Sequence, residues 1–443
     1  MVAILTRYMG WAVFGLVVAW VLFVYFPSLL ARIQPNTPPG FIRVENGWAY
    51  ALVALLAAVG LILLYALVVT YINNLRKGRK RSPFPLFGQG LTHLFLILVL
   101  LLAYYPILQI LAASFDPRNT LFRIFPPASD NLLIRARVIP DFSQLSWANY
   151  FQLFDGFVLF AYQAVLMAIA GLCLLIFLTM VFYRRIIGDD GTASFYALIQ
   201  GRSLTVFAIL GFILVIFLSP EQFTGMATES KFMLWVRNTL LVSGITGILA
   251  VLLTATAGYA FARFSFPGRY PMLLVFIFVQ MFPGFLGLVA TYFLISNLGL
   301  LNTFTGLVLA YTGGIISFGT WVYKGFLESI SKSLEEAALI DGASKWQAFT
   351  LVLLPLSAPM FVFIFLLQFV GTYSEFMMAN LLLTGVDSWT VGMGLRNFTI
   401  GQFSTMWGLF AAAAVLGSIP ILITFYAFQR YFVSGYTAGS VKE

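Results

Sequence analysis

SISKSLEEAALIDGASKWQAFTLVLLPLSAP, residues 329–359, is the longest internal stretch of the chain in which polar and apolar residues are mixed. It reads as two short helices divided by a glycine. Ser333 is expected to N-cap the first, with Glu336 three residues on to complete a capping box and Leu334, Ala337 and Ala338 sharing one face. Gly342 then ends that helix, and Ser344 caps the next with Gln347 in the reciprocal position. Trp346 and Phe349 follow at helical spacing, and Pro355 marks the return to apolar sequence. The pattern suits a passive surface helix pair. It equally suits a compact knob of small residues that seats in a groove of another protein.

Outward from this segment the chain is almost wholly apolar. Of 443 residues, 61% are hydrophobic, 17% aromatic and 9% charged, with a mean hydropathy of +0.94. No water-soluble domain covers that much apolar surface. A hydrocarbon core about 30 Å thick takes about 20 apolar residues per helical span. Ten runs of that kind lie near residues 9–30, 48–72, 91–115, 157–183, 203–219, 237–262, 271–296, 304–326, 356–383 and 405–429. The expected fold class is therefore an all-α integral membrane protein, a polytopic helical bundle. The first run lacks an Ala-x-Ala-like cleavage site and is read as a retained span.

The net charge of +9 comes from basic residues in short loops between apolar runs, a mark of membrane orientation rather than of nucleic-acid binding. Arg76, Lys77, Arg79, Lys80 and Arg81 anchor one loop to the cytoplasm. Counting spans from there puts both termini inside, together with residues 329–355, and leaves 16 of the 25 Lys and Arg residues on the cytoplasmic side. Two longer segments fall outside. Residues 116–156 are too polar to span, and residues 385–405 carry Trp389, Arg396, Asn397 and Phe398 among repeated glycines. The latter suits a loop that reaches toward a sugar or a sugar-loaded protein, or an interfacial aromatic belt.

Single residues narrow the chemistry. Neither a GxxxxGK[ST] phosphate loop nor paired carboxylates in the spans appear, and the sole histidine, His93, has no ligand partners nearby, so catalysis and a metal site find no support. Cys173, the sole cysteine, reads as a small buried hydrophobe. Glu375, with Asn380 close by, is a charge inside an apolar run, and Gln280 and Gln368 are amides in such runs. Each is a translocation-path candidate or a group bonded between helices.

Glu336-Ala337-Ala338, then Gly342, then Val352, Leu354 and Pro355 resemble the EAA loop of bacterial ABC importer permeases, with valine where that family usually has isoleucine. YAFARFSFPGR from Tyr259, QMFPGFLGLVA from Gln280, FAAAAVLGSIP from Phe410 and QRYFVSGYTAGSVKE from Gln429 extend the resemblance to maltose/maltodextrin permeases of the MalG type. The resemblance implies a six-span type I importer core plus about four extra spans. It also implies a second, homologous permease, two copies of a cytoplasmic ATPase that holds the ATP and Mg, and an extracytoplasmic sugar-binding protein. This chain would hold no cofactor and catalyse nothing. Glu335, Glu336, Ala337, Ala338, Asp341, Gly342 and Ala343 would couple to the ATPase, and Trp389, Arg396, Asn397 and Phe398 would face the binding protein.

The matching division is an extra N-terminal pair at 1–85, a first core span with its long external loop at 86–156, and an inserted pair at 157–230. The core domain follows at 231–432, with its coupling loop at 329–355, and then a cytoplasmic tail at 433–443. Within the class, trehalose, cyclodextrin and galacto-oligosaccharides are alternative substrates. From another class, an ion-gradient-driven sugar carrier would need acidic or histidine relays in its spans.

Overall fold

The computed structural model describes residues 47–77, 82–117, 145–187, 193–224, 231–281, 284–400 and 405–438. The first expected span, most of the basic anchor after Lys77, the middle of the long external segment, residues 401–404 and the last five residues lie outside these. Among the described residues the chain is helical, and six helices are long and apolar enough to cross a membrane, or eight if two bent pairs each count as one span. Two compact units emerge, Met1–Asn149 with Met406–Ala412, and Tyr150–Thr405 with Ala413–Glu443.

The first unit contains α1 (Gly47–Lys77) and α2 (Phe84–Ser114). At about 1.5 Å per residue, each is about 46 Å long, enough to cross the hydrocarbon and emerge on both sides. Gly90 lets α2 lie against Ile62 of α1, where a Cβ would overlap the isoleucine. Beyond α2, Asn149 donates to the carbonyls of Ser114 (3.0 Å) and Asp116 (2.9 Å), satisfying acceptors that a helix end leaves open.

The second unit opens with a hairpin of α3 (Ala161–Ile187) and α4 (Ala193–Ile216), packed along their length. Cys173 is only half-buried on α3, not the buried hydrophobe expected, because this helix has α4 on one side alone and leaves Leu172 and Leu175 exposed. The hub of the unit is α5 (Phe232–Arg263), 32 residues without an internal proline. It packs on α8 (Phe304–Ser329) and α11 (Ala358–Ser374). Small residues bring these helices close. A Cβ on Gly258 would stand 2.6 Å from the Tyr323 ring, and one on Gly247 would stand 2.8 Å from Phe365.

Two runs expected as single spans are interrupted. Residues 271–296 form α6 (Arg269–Met281) and α7 (Gly287–Asn297), divided by a 3₁₀ turn at Gly284–Leu286. The sequence carries Pro283-Gly284 there, which disfavours a continuous helix. Residues 356–383 break at Glu375, which is extended (φ −74°, ψ 139°) between α11 and the short α12 (Met377–Leu382). Before α11, the coupling segment gives α9 (Ser333–Ile340) and α10 (Lys345–Leu356), the latter meeting α11 at a 72° bend. The middle of α10, Ala348–Leu353, is wound as a π-helix directly ahead of Pro355. Proline has no N–H to give and crowds the carbonyl four residues back, and a wider turn relieves both. After α12 come α13 (Val391–Asn397) and α14 (Trp407–Ala438), whose last turns run into the expected tail.

Candidate functional site

The segment 329–359 folds as a protruding knob. Its first helix starts one residue earlier than expected. Lys332 occupies the cap position without a side-chain bond, Ser333 is already helical, and the Ser331 hydroxyl lies 2.7 Å from that of Ser333. The Ser333–Glu336 capping box therefore does not form, because the serine that stands free of the helix is Ser331. At the other end Gly342 takes φ +88°, its N–H bonded to Leu339 O (3.1 Å) and that of Ala343 to Ala338 O (3.0 Å). This Schellman closure needs a left-handed residue, hence glycine. The second capping box forms as expected. Ser344 Oγ accepts from Gln347 N (3.3 Å), and Gln347 Oε1 accepts from Ser344 N (2.8 Å).

The tip of the knob is exposed and apolar. Ile340 is 86% exposed, Trp346 66% and Leu334 47%, while Glu336, Ala337, Asp341 and Gly342 are exposed beside them. Beneath, Phe349 is buried against Tyr259 at 4.5 Å and Trp346 at 5.6 Å between ring centroids. Ala338 and Ala343 are half-buried. Glu335 points the other way. Its Oε1 accepts from Tyr259 Oη (2.7 Å), and its Oε2 lies 3.1 Å from Arg263 Nε. In the sequence Tyr259 and Arg263 stand out only within the YAFARFSFPGR resemblance and not as site residues, although their four-residue spacing places them on one face at the end of α5.

At the opposite end of α5 lies the segment after α12. Asn238 Nδ2 donates to Asp387 O (2.7 Å) and Trp389 O (3.0 Å), Thr239 Oγ1 accepts from Val391 N (2.8 Å), and Lys231 pairs with Asp387. Trp389 stacks toward Trp235 at 5.5 Å, and Phe398 is buried against the same ring. Arg396 is exposed, donates to Asn380 Oδ1 (3.1 Å) and lies over the Phe376 ring. Asn397 is half-buried. Thus Trp389 and Phe398 pack inward, while Arg396 stays accessible.

Of the four path candidates, Glu375 and Gln368 are held by bonds to neighbouring turns and Asn380 by Arg396. The Glu375 carboxylate accepts from Met378 N (2.9 Å), Ala379 N (3.2 Å) and the Tyr311 hydroxyl, so it caps α12 and ties it to α8. Gln368 donates to Thr372 Oγ1 (3.0 Å) on its own helix, whereas Gln280 and Asn380 are exposed. His93 bonds Gln89 O (2.6 Å) one turn back. Among the described residues no three His, Cys, Asp or Glu side chains group as metal ligands do.

In the second unit long apolar helices pack around a hub, with a capped knob at one end of it, and the long apolar helices of the chain mark a polytopic membrane protein. Residues 250–437 match the family described as binding-protein-dependent transport system inner membrane component. Similar proteins include the maltose/maltodextrin transport system permease protein MalG of Salmonella typhimurium, 46% identical over 51% of this chain and 78% of the relative. MalG of Vibrio vulnificus is 48% identical over 47% of this chain and 72% of the relative. Among solved structures, a bacterial ABC transporter chain involved in the import of the acidic polysaccharide alginate superposes with a TM-score of 0.52. That match has 17% identity and covers 80% of this chain and 98% of the other, a likeness of fold. The chain belongs to the binding-protein-dependent ABC importer permeases, and it is a multi-pass inner-membrane transport subunit, not an enzyme. Permeases of this family work with an ATPase, a binding protein and a second permease.

Proposed function

We propose that this chain translocates maltose and maltodextrins across the cytoplasmic membrane, paired with one homologous permease on two copies of a cytoplasmic ATPase. The observation that carries the substrate is its 46–48% identity to permeases named for maltose and maltodextrin. In this reading both termini and the knob are cytoplasmic, and the core is 86–156 with 231–432, to which 1–85 and 157–230 are additions. ATP stays on the partner, and this subunit holds no cofactor. Glu336, Ala337, Ala338, Asp341, Gly342 and Ala343 enter a groove on the ATPase, with Ile340 and Trp346 supplying apolar area. The accessible Arg396 and the half-buried Asn397 meet the binding protein, and Trp389 and Phe398 shape that surface from within. Closure of the ATPase pair moves the knob, the paired permeases open outward, and hydrolysis returns the path inward. Gln280 and Asn380 are the better path candidates, being exposed, while Glu375 and Gln368 shape the bundle.

The test is reconstitution in lipid with the neighbouring permease, the ATPase and the binding protein, measuring ATP hydrolysis against a panel of sugars. Maltose and maltodextrins should stimulate hydrolysis while trehalose, cyclodextrin and galacto-oligosaccharides do not. Stimulation by one of the others alone reassigns the substrate. A complex without ATPase, with uptake that collapses on adding an uncoupler, would return the reading to a gradient-driven carrier.

A further inference from the structure

The coupling segment carries two adjacent glutamates that face opposite ways. Glu336 is exposed on the knob, whereas the Glu335 side chain is 12% exposed and the Arg263 side chain facing it 5%. Arg263 Nη2 also donates to Ile330 O (3.2 Å), the residue that closes α8. Tyr259 completes the cluster. Its hydroxyl donates to Glu335 while its ring lies on Phe349 under the knob. One buried cluster thus joins the end of α5, the end of α8 and both helices of the knob.

Burying a charged pair is costly, and apolar packing of equal volume often holds two elements together as well. What the pair adds, with the Tyr259–Glu335 and Arg263–Ile330 hydrogen bonds beside it, is direction, since these bonds restrict the angle of α9 about α5. That angle has a lever behind it. α5 runs 32 residues, about 48 Å at the rise of an α-helix, and its far end is bonded through Asn238 and Thr239 to the segment 387–391.

Resting on the coupling reading above, we propose that Glu335, Arg263 and Tyr259 are positioning residues, a strut that transmits displacement of the knob into α5 and along it to the external segment. Glu335 acts through Arg263 and does not itself touch the ATPase.

The experiment uses the full complex in lipid with the binding protein, with two readouts: ATPase retained on the membrane subunits, and the ratio of hydrolysis with maltose-loaded to that with empty binding protein. Glu335→Gln and Arg263→Gln should keep the ATPase bound while the ratio falls about tenfold, the size of a usual coupling between sites. Tyr259→Phe keeps the ring and the ion pair, and should lower the ratio less. The Glu335→Arg/Arg263→Glu double variant should recover a large part of the ratio, which a general loss of folding would not allow. Release of the ATPase by Glu335→Gln overturns the proposal, since Glu335 would then be a docking contact. So does an unchanged ratio in Glu335→Gln, or no recovery in the double variant. If the unsubstituted chain binds no ATPase, the coupling reading itself fails, a different result from any of these.

Discussion

Gly342 sits at φ +88° with open space around its Cα, so a side chain there meets no neighbour and only the backbone objects. Alanine in that conformation costs about 1 kcal/mol, and asparagine less because it tolerates the left-handed region. Gly342→Ala should therefore loosen the tip and reduce ATPase retained through membrane purification, with Gly342→Asn between it and the unsubstituted chain. Equal losses from both would mean that bulk, not backbone, decides docking. Asn238 is the second residue whose deletion has a definite price. Asn238→Leu leaves the Asp387 and Trp389 carbonyls without their buried donor, a penalty of about 1–3 kcal/mol. A lower thermal midpoint in detergent should follow, with the ATPase still bound, because the knob lies at the other end of α5.

Among the elements, the α3/α4 hairpin is closed at its root. Phe157 and Phe223 form an isolated antiparallel bridge, Thr224 N bonds Gly156 O (3.0 Å), and Val158 N bonds Gln222 O (2.8 Å). Gln163 and Gln222 share a buried amide pair just inside. The chain therefore leaves and re-enters at nearly one point, and replacing residues 158–222 by two or three glycines should yield a folded permease that still couples hydrolysis to sugar. Its thermal midpoint should fall, since Arg237 loses the Ile216 carbonyl it donates to. Failure of that variant to insert would show that the hairpin is required for assembly. The two apolar runs were legible in the sequence, but the bridge was not, because residues 157 and 223 are far apart in the chain and no local periodicity records their pairing. The break at Glu375 was hidden for a related reason. A carboxylate in an apolar run looks like a pathway charge until the helix that it caps is seen, and α12 is too short to announce itself. The knob was legible almost whole, since glycine, serine and glutamine at fixed offsets are local signals. The inward turn of Glu335 was not, because it depends on Arg263, 72 residues earlier.

For the molecule as a whole, α5 settles which ends lie apart. It is about 48 Å long by its 32 residues against a hydrocarbon core of about 30 Å. The Lys231–Asp387 pair at its start and the Arg263–Glu335 pair at its close therefore belong to opposite faces of the membrane. On the reading proposed above, the distribution of basic loops assigns the knob to the cytoplasmic face, and labelling tests that assignment. Because Cys173 is the sole cysteine, a single Cys173→Ala change gives a clean background for testing this. Thr384 and Ser333 are both exposed, one directly before the 385–405 segment and one on the knob. In intact cells a membrane-impermeant maleimide should label Thr384→Cys and spare Ser333→Cys until the membrane is opened. Reversed labelling would invert the orientation and remove the knob from the reach of any cytoplasmic ATPase. Labelling of both from outside would mean that α5 does not cross the membrane, and the lever from knob to external segment would be lost with it.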